Sequence, residues 1–277
     1  MRQLKITGGC FQHCLYSNNP LPPTSFFPDI QWVWDAPTDP DDVYFYTHNA
    51  ISRGITDNAG QKICWMIEPL ELIGGKYAQI ESSNNEFDYV FTHEKTLLDR
   101  EENYKFIPFG GCWIPEDERI MPEYKDKMVS IISSQKNSLR GHNMRHETIR
   151  RFGSALNVYG RGYSPVDSKL TVHKDYFFSV VIENCKRDYW FTEKLIDSLI
   201  LGCMPIYWGC PSIGDFFDID GIIVVDTIED IERELNNLST DYYMDRFEHI
   251  HKNQELAKQY VLSEKFIYED FIIEGLI

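Results

Sequence analysis

The hydrophobic positions of the chain are most regular between residues 176 and 209. Residues 176–182 form an apolar run without alternation, which predicts a strand covered on both faces. A helix follows, beginning near Thr192 and stopping at Gly202, and residues 204–208 predict a second strand. Two buried strands on either side of a helix indicate a βαβ unit.

Polar side chains gather at one end of this unit, where the first strand ends and the helix begins. They are Glu183, Asn184, Thr192, Glu193 and Lys194. Ligands bind beyond the carboxyl ends of parallel strands, and a helix N-terminus there offers free N–H groups and a partial positive charge. We therefore expect this end of the unit to bind a phosphate-bearing ligand.

The rest of the C-terminal half alternates between strand and helix patterns. Strands are predicted over 128–133, 156–159 and 222–225, and helices over 143–152 and 228–235. This alternation predicts a parallel doubly wound sheet, which we assign to a Rossmann-like domain of residues 126–240.

The residues that follow, 241–277, form a tail with a helical pattern that can pack back on the N-terminal part of the chain. Its core candidates are Phe247, Ile250, Leu256, Tyr260 and Phe266.

The first 125 residues are a series of short apolar runs separated by turn residues. They predict strands over 4–7, 30–34, 43–47, 63–67, 87–91 and 104–107, joined by short helices, and so a smaller α/β lobe. The charged, proline-marked segment 115–127 has no core pattern and is the best predicted linker. The expected architecture is two α/β lobes facing a central cleft.

Composition narrows the possible partners. The 277 residues are 43% hydrophobic, which suits a globular protein, and the formal charge of -16 argues against binding nucleic acid or an anionic membrane. The N-terminus lacks the apolar core of a signal peptide, and no stretch is long enough to span a bilayer. These observations predict a soluble, cytoplasmic protein.

Seven cysteines are scattered along the chain without the CxxC pairs of zinc or redox sites. Most of them are expected to be buried free thiols. Cys10, His13 and Cys14 lie close together, but nothing nearby completes a set of four metal ligands.

The segment 178–209 resembles the signature of the alpha-1,3-fucosyltransferase family. Glu183-Asn184 is followed at the family spacing by Thr192-Glu193-Lys194-Leu195. A glycine, a proline, an aromatic residue and a second glycine then follow in order, at positions 202, 205, 207 and 209.

Weaker similarities cover most of the rest of the chain. They are Ser133-Ser134 with Arg145, WMIEP at 65–69, the segment 87–92, and 108–110. The resemblance implies two Rossmann-like lobes of the GT-B type, with the nucleotide sugar bound mainly by the C-terminal lobe. It also implies an inverting transfer to a glycan or glycoprotein acceptor.

Sugar transfer builds negative charge on the departing diphosphate, and that charge requires a cation. Arg145 can offer a bidentate fork and Lys194 a point charge. The resemblance implies that these two contact the diphosphate and that Glu193 binds the ribose hydroxyls, so that no metal cofactor is required. The alternative is that Arg145 and Lys194 are solvated charges, and that Glu183 and Asn184 cap a turn.

A base must accept the proton of the acceptor hydroxyl, and a carboxylate at a strand end suits that role. The resemblance points to Glu68. Glu86, Asp88 and Glu94 are competing carboxylates, and Glu68 could instead be an ordinary surface residue.

Two other patterns suggest metals but fit them poorly. His142, His146 and Glu147 do not follow the order H-E-x-x-H, so packing or proximity to phosphate is favoured over zinc. The D-x-D pairs at 39–41 and 218–220 are interpreted as turns.

The chain departs from the family pattern at Tyr189-Trp190-Phe191, where Asp-Tyr-[VI] is usual, and at Cys185, where Ser is usual. The larger indole at 190 changes the expected donor contacts, so the donor could be GDP-fucose or another nucleotide sugar such as UDP-xylose. A nonenzymatic nucleotide- or glycan-binding protein with the same fold is the alternative function.

Overall fold

The computed structural model describes residues 2–8, 27 and 29–277, and these residues form two compact units. The first unit is Met1–Phe109 with Leu262–Ile277, and the second is Gly110–Val261. The segment 115–127 lies inside the second unit, where Lys125 is buried and its Nζ donates to the carbonyl oxygen of Leu201 over 2.9 Å.

Six parallel strands form the sheet of the first unit. They are β1 (Arg2–Thr7), β2 (Ile30–Trp34), β3 (Val43–Thr47), β4 (Gln61–Trp65), β5 (Tyr89–Thr92) and β6 (Tyr104–Phe106). Their order is β2-β1-β3-β4-β5-β6. The sheet encloses a core of large aromatic side chains that includes Tyr44, Phe45 and Phe91, none of which is exposed.

Five parallel strands form the sheet of the second unit. They are β7 (Lys127–Ile132), β8 (Asn157–Tyr159), β9 (Tyr176–Ile182), β10 (Met204–Trp208) and β11 (Ile223–Val224). Their order is β11-β10-β9-β7-β8. The prediction of an α/β protein with parallel sheets is therefore confirmed, and the βαβ unit of β9 and β10 has the predicted bounds.

Helices connect the strands in both units. They are α1 (Ile51–Thr56), α2 (Leu70–Ser83), α3 (Lys95–Leu98), α4 (Arg140–Phe152), α5 (Leu170–His173), α6 (Glu193–Ile200), α7 (Ile228–Asn237), α8 (Thr240–Met244), α9 (Phe247–Ala257) and α10 (Glu264–Ile267). A π-helical turn, Tyr268–Ile272, follows α10. In the described residues, no helix has both the length and the apolar composition that crossing a membrane requires.

Three local predictions need correction. The helices of the first unit are not all short, because α2 has 14 residues; Gly74-Gly75 conceals it in the sequence, and its backbone kinks at Ile73. The predicted strand 63–67 ends at Trp65, and α4 begins three residues before the predicted position 143.

The tail is helical as predicted, but its residues divide between the two units. Ile250 is buried in the core of the second unit, whereas Phe247 is 38% exposed and is not a core residue. Residues 262–277 belong to the first unit, where the ring of Phe271 lies 4.7 Å from that of Phe91.

Candidate active site

The second sheet changes direction between β7 and β9. The chain goes from β7 to β8 on one side and then returns to β9 on the other side. The helices that follow such neighbouring strands leave on opposite sides, and a crevice opens at the carboxyl ends of the strands. Ser133 follows β7, and Glu183 and Asn184 follow β9, so the sequence-predicted residues lie at this switch point.

The first turn of α4 lies against the end of β9. The Gly141 N–H donates to the carbonyl oxygen of Asn184 over 3.0 Å. A β-carbon on residue 141 would lie 1.7 Å from the carbonyl oxygen of Glu183, so this approach requires glycine. The contact brings Arg145, one turn further along α4, to Asn184.

Arg145 is buried and held in place. It is 7% exposed, its Nη2 donates to Asn184 Oδ1 over 2.7 Å, and its Nε donates to the carbonyl oxygen of Gly141 over 3.2 Å. Burial lowers its pKa, and the charges of Glu183 and Glu193 act against that change. The guanidinium stays charged because its ordinary pKa is so high. Arg145 is therefore not the solvated surface charge of the alternative interpretation.

Glu183 is completely buried and binds the start of α6. Its two carboxylate oxygens accept hydrogen bonds from the Thr192 N–H and hydroxyl, each over 2.8 Å. Thr192 is also the N-cap of α6, since its Oγ1 accepts from the Lys194 N–H over 3.3 Å. Burial raises the pKa of Glu183, and the nearby Lys194 ammonium opposes this rise.

Lys194 completes the cluster. Its Nζ lies 3.1 Å from Thr192 Oγ1, 3.3 Å from Glu193 Oε1 and 3.6 Å from Glu183 Oε2. The structure thus brings together two cations, two carboxylates and a capping hydroxyl. The predicted free amides are not all free, because the N–H groups of Thr192 and Lys194 are already bonded within the chain. The cationic side chains are better placed for a phosphate than these amides are.

Ser133 and the three aromatic residues occupy different environments. Ser133 is 5% exposed, and its Oγ donates to the carbonyl oxygen of Ser134 over 3.2 Å. Tyr189 is half-buried with a φ of 58°, and its N–H donates to Ser212 Oγ over 2.9 Å. Trp190 and Phe191 have no exposed surface, so they support the loop from within.

Comparisons with known structures show which fold this chain has. A crystal structure of an alpha1,3-fucosyltransferase with GDP matches with a TM-score of 0.59 and 16% identity, over 97% of this chain and 91% of that chain. An alpha1,3-fucosyltransferase structure with GDP-fucose matches with a TM-score of 0.56 and 13% identity, over 94% and 90% of the two chains. The chain has the fold of the alpha1,3-fucosyltransferases.

Sequence comparisons cover shorter segments. The alpha-(1,3)-fucosyltransferase FucT of Helicobacter pylori is 29% identical over 114 residues, which are 41% of this chain and 22% of that protein. A putative fucosyltransferase-like protein of Arabidopsis thaliana is 30% identical over 90 residues, 31% of this chain and 18% of that protein. The chain thus spans about a fifth of the length of the curated relatives that it matches. No protein-family model matches it.

The four carboxylates considered for the base lie at opposite ends of the strands of the first sheet. Two are near the amino ends and two are near the carboxyl ends. Asp88 precedes β5, and its Oδ2 accepts from the Lys62 N–H near the start of β4 over 2.7 Å. Glu86 Oε2 lies 3.8 Å from Lys62 Nζ. Glu68 and Glu94 instead follow the carboxyl ends of β4 and β5. Only these two lie at the edge where parallel sheets bind ligands.

The predicted histidine pair does not converge on one point. His142 Nδ1 accepts from the Leu139 N–H over 3.2 Å, and burial next to Arg145 lowers the pKa of His142 to about 4. His146 instead contacts the Tyr163 hydroxyl through Nδ1 and the carbonyl oxygen of Lys136 through Nε2, each over 2.9 Å. The Cys10, His13 and Cys14 cluster lies outside the described residues.

Both D-x-D pairs lie in turns, as the sequence predicts. At 39–41 the Asp42 N–H donates to the carbonyl oxygen of Asp39 over 3.0 Å, and Asp218-Ile-Asp220 forms the second turn. Asp218 caps a short helix by accepting from the Asp220 N–H. Ligand atoms of Asp218, Asp220 and His249 lie within 4.8 Å of one another, as a metal site among the described residues would require. However, Lys252 Nζ is 2.8 Å from Asp218 Oδ2, and this hydrogen bond chiefly lowers the pKa of Asp218 to about 2.

Two charged residues near the cluster were missed by sequence reasoning. Lys169 Nζ lies 3.0 Å from Asp197 Oδ2 and 3.7 Å from Glu193 Oε1. Asp197 is fully buried, and its Oδ1 accepts from the Trp113 N–H over 2.7 Å. The available signal was a carboxylate on the buried face of α6, four residues after Glu193.

Proposed function

We propose that the chain is a metal-independent, inverting glycosyltransferase. It would move a sugar from a nucleotide-sugar donor to a hydroxyl of a glycan or glycoprotein. The observation that carries this proposal is the pairing of Arg145 and Lys194 with Glu183, Asn184 and Glu193 at the switch point of a parallel sheet. The fold, which the chain shares with alpha1,3-fucosyltransferases, supports the same function.

Arg145 and Lys194 act on the leaving group. As the bond between the sugar C1 and the diphosphate oxygen breaks, negative charge grows on the diphosphate, and fixed cations stabilise that charge more in the transition state than in the ground state. Arg145 is already oriented by Asn184 and Gly141, so little reorganisation is required. Lys194 has three oxygen partners, all within 3.6 Å, and can exchange one of them for phosphate.

The acceptor hydroxyl attacks C1 from the opposite face, and this single displacement inverts the configuration. Its proton passes to a carboxylate as the new C–O bond forms. We assign this role to Glu68, which follows the carboxyl end of β4. Glu94, beyond the end of β5, is the remaining competitor.

The donor is proposed to be a nucleotide sugar with a guanine base, GDP-fucose in the first instance. Two of the similar structures contain GDP or GDP-fucose. Trp190 is fully buried beneath the loop that precedes Thr192. The indole, which stands where the family usually has Tyr, therefore affects the shape of that loop. UDP-sugars such as UDP-xylose are the alternative donors to be compared.

The test measures sugar transfer from GDP-fucose and from UDP-sugars to a panel of glycan acceptors. Lys194→Ala is expected to lower kcat by roughly 10²–10³-fold, the usual cost of removing one group that stabilises developing charge. Arg145→Lys, which keeps the charge but not the fork, should also lower kcat. Lys127→Ala is the matched control, because Lys127 is also ion-paired but lies at the amino end of β7, away from the candidate site.

Unchanged transfer by Lys194→Ala and Arg145→Lys would show that the assigned roles are wrong. The base is tested separately with Glu68→Gln and Glu94→Gln; loss of transfer only in the latter would move the role to Glu94. Tight binding of GDP or UDP without transfer to any acceptor would favour the nonenzymatic binding protein.

A further inference from the structure

Lys169 joins the candidate site from a separate part of the chain. It directly precedes α5, whereas its two carboxylate partners, Glu193 and Asp197, lie on successive turns of α6. Asp197 is the closer partner, at 3.0 Å, and Glu193 is at 3.7 Å. The side chain of Lys169 is 20% exposed and that of Asp197 is not exposed, so solvent screens their interaction little.

Asp197 fixes the position of Lys169. One of its oxygens binds Lys169, and the other accepts from the Trp113 N–H over 2.7 Å. Burial opposes the charged form of Lys169, but Asp197 and Glu193 outweigh this effect and raise its pKa. The ammonium is therefore charged and anchored, and it lies within reach of the Glu193 carboxylate.

Without Lys169, two carboxylates would lie one turn apart on a largely buried helix face. Like charges at this spacing repel each other, and the repulsion grows where water is excluded. Glu193 would respond by taking up a proton or by turning away. Lys194 also contacts Glu193, at 3.3 Å, but the proposed function requires Lys194 for the diphosphate. Lys169 is a second cation in contact with Glu193, and it stays there when Lys194 binds a ligand.

An ionised carboxylate at this edge of the sheet is suited to one chemical group in a nucleotide. Dinucleotide-binding folds place an acidic side chain on the ribose, where it accepts hydrogen bonds from the hydroxyls. Glu193 lies in the first turn of α6, beside the phosphate-binding candidates, and its side chain is 11% exposed. A carboxylate in this position can select a nucleotide that carries the ribose 2′-hydroxyl.

We propose that Lys169 is a positioning residue that keeps the Glu193 carboxylate ionised and aimed at the ribose of the donor. The site would thereby select ribonucleotides over 2′-deoxyribonucleotides. This inference rests on the proposed function, since it requires that a nucleotide binds at the switch point.

The test compares the Kd values of GDP and 2′-deoxy-GDP, and of UDP and 2′-deoxy-UDP, for the full chain by calorimetry. The wild-type protein is expected to bind the ribose form roughly ten-fold or more tightly, as a hydrogen bond to a charged group implies. Lys169→Met keeps the length of the side chain but removes the charge, and it should reduce this ratio to about three-fold or less. Lys169→Arg should keep most of the ratio. A merely structural role would instead weaken the binding of the ribose and deoxyribose forms alike and leave their ratio unchanged.

Lys127→Met is the matched control, because Lys127 forms an ion pair of 2.9 Å with Asp175 at the amino end of the sheet. It should leave the ratio unchanged. Lys169→Gln provides a second uncharged variant if Lys169→Met does not fold. A wild-type ratio in either uncharged variant would overturn the role of Lys169 and leave the proposed function intact. Equal binding of ribose and deoxyribose forms by the wild-type protein would do the same, whereas binding of neither GDP nor UDP would reject the proposed function as well.

Discussion

Glu183 shows how one buried carboxylate can organise a charged site. Removing a carboxylate from water is costly unless hydrogen bonds and a cation compensate, and Thr192 and Lys194 supply both. The backbone of Glu183 also contacts the start of α4. Its carbonyl oxygen occupies the space that a β-carbon on residue 141 would need. Glu183 therefore connects the two helix starts and positions the groups that are proposed to bind the ligand.

The sequence could identify most of the charged residues of the site but not their burial. The pairs Glu183-Asn184 and Glu193-Lys194 are recognisable because they follow a strand and open a helix. The sequence around Arg145 is compatible with a solvated charge, because its burial and its hydrogen bond to the distant Asn184 arise only on folding. Lys169 was not identifiable, since its partners are distant in sequence and the contact exists only after folding.

A buried carboxyl in the first unit predicts a pH dependence of stability. Glu264 is 8% exposed, and burial raises its pKa from 4.5 to about 7. The folded protein holds this proton more tightly than the unfolded chain, so the stabilising contribution is complete below about pH 4.5 and is lost as the pH rises through about 7. The loss amounts to about 3 kcal/mol.

Glu264→Gln should remove this loss, because glutamine has no proton to release in that range. Urea unfolding between pH 4.5 and 8 measures the free energy of unfolding. As the pH rises, the stability of the variant relative to the wild-type protein is expected to increase progressively. Glu274→Gln, at an exposed position of the same unit, is the control. Parallel pH profiles for the wild-type protein and Glu264→Gln would contradict the assignment.

At the scale of the element, α6 joins the site to the core. Its outer turn carries Glu193 and Lys194, while Leu195, Ile196 and Leu199 are buried. The helix is only eight residues long, so its geometry depends on packing and on its cap. The cap is Thr192, which is bound on its other side by Glu183.

Thr192→Ala should destabilise the second unit and also weaken nucleotide binding. Loss of an N-cap costs about 1 kcal/mol, and one oxygen of the buried Glu183 would lose its hydroxyl donor, so the expected total is about 2–3 kcal/mol. Thr227→Ala is the matched control, because Thr227 caps α7 by accepting from the Asp230 N–H at an exposed site. It should cost about 1 kcal/mol and leave nucleotide binding unchanged.

Urea unfolding and calorimetry with GDP and UDP separate the two effects. Equal losses of stability in the two variants would show that the Glu183 contact adds nothing to the cap. Unchanged nucleotide affinity in Thr192→Ala would show that the geometry of this helix start does not determine binding.

Helices and strands were predictable where the hydrophobic pattern and the conformational preferences of the residues indicated the same structure. The strands β9 and β10 were found with their bounds because both are buried apolar runs. The start of α4 was placed too late because Gly141 is a poor helix former, and its presence is explained by the distant Glu183 carbonyl oxygen. Gly74-Gly75 hid α2 for the same local reason, although a β-carbon at either position would meet no atom of the described residues within 4 Å.

At the scale of the whole molecule, a negative net charge coexists with fixed cations at the candidate site. The chain carries a formal charge of -16, and in the second unit Arg145, Lys169 and Lys194 lie among the carboxylates of Glu183, Glu193 and Asp197. A negative net charge disfavours polyanions such as nucleic acids, while fixed local cations can still attract a small anionic ligand. A negative net charge is therefore compatible with the proposed binding of a diphosphate at this cluster.

The two units also differ in continuity, and this difference predicts how the molecule unfolds. The second unit is one continuous segment, whereas the first requires residues 262–277 from the C-terminus. Phe271 secures that segment: it is 6% exposed, and its ring lies 4.7 Å from Phe91 and 5.7 Å from Tyr89. Phe271→Ala should cost the first unit about 3 kcal/mol. Ile273→Ala, at a position that is 61% exposed, should have little effect.

Hydrogen exchange measured by mass spectrometry can follow each unit separately. In Phe271→Ala, exchange should accelerate in β4 and β5 of the first unit and stay close to wild-type rates in β9 and β10 of the second. GDP or UDP, whichever the wild-type protein binds, should still protect the second unit, because its cationic cluster is formed by that unit alone. Equal acceleration in both sheets would show that the two units unfold as one cooperative structure, and that the C-terminal segment stabilises the nucleotide site as well.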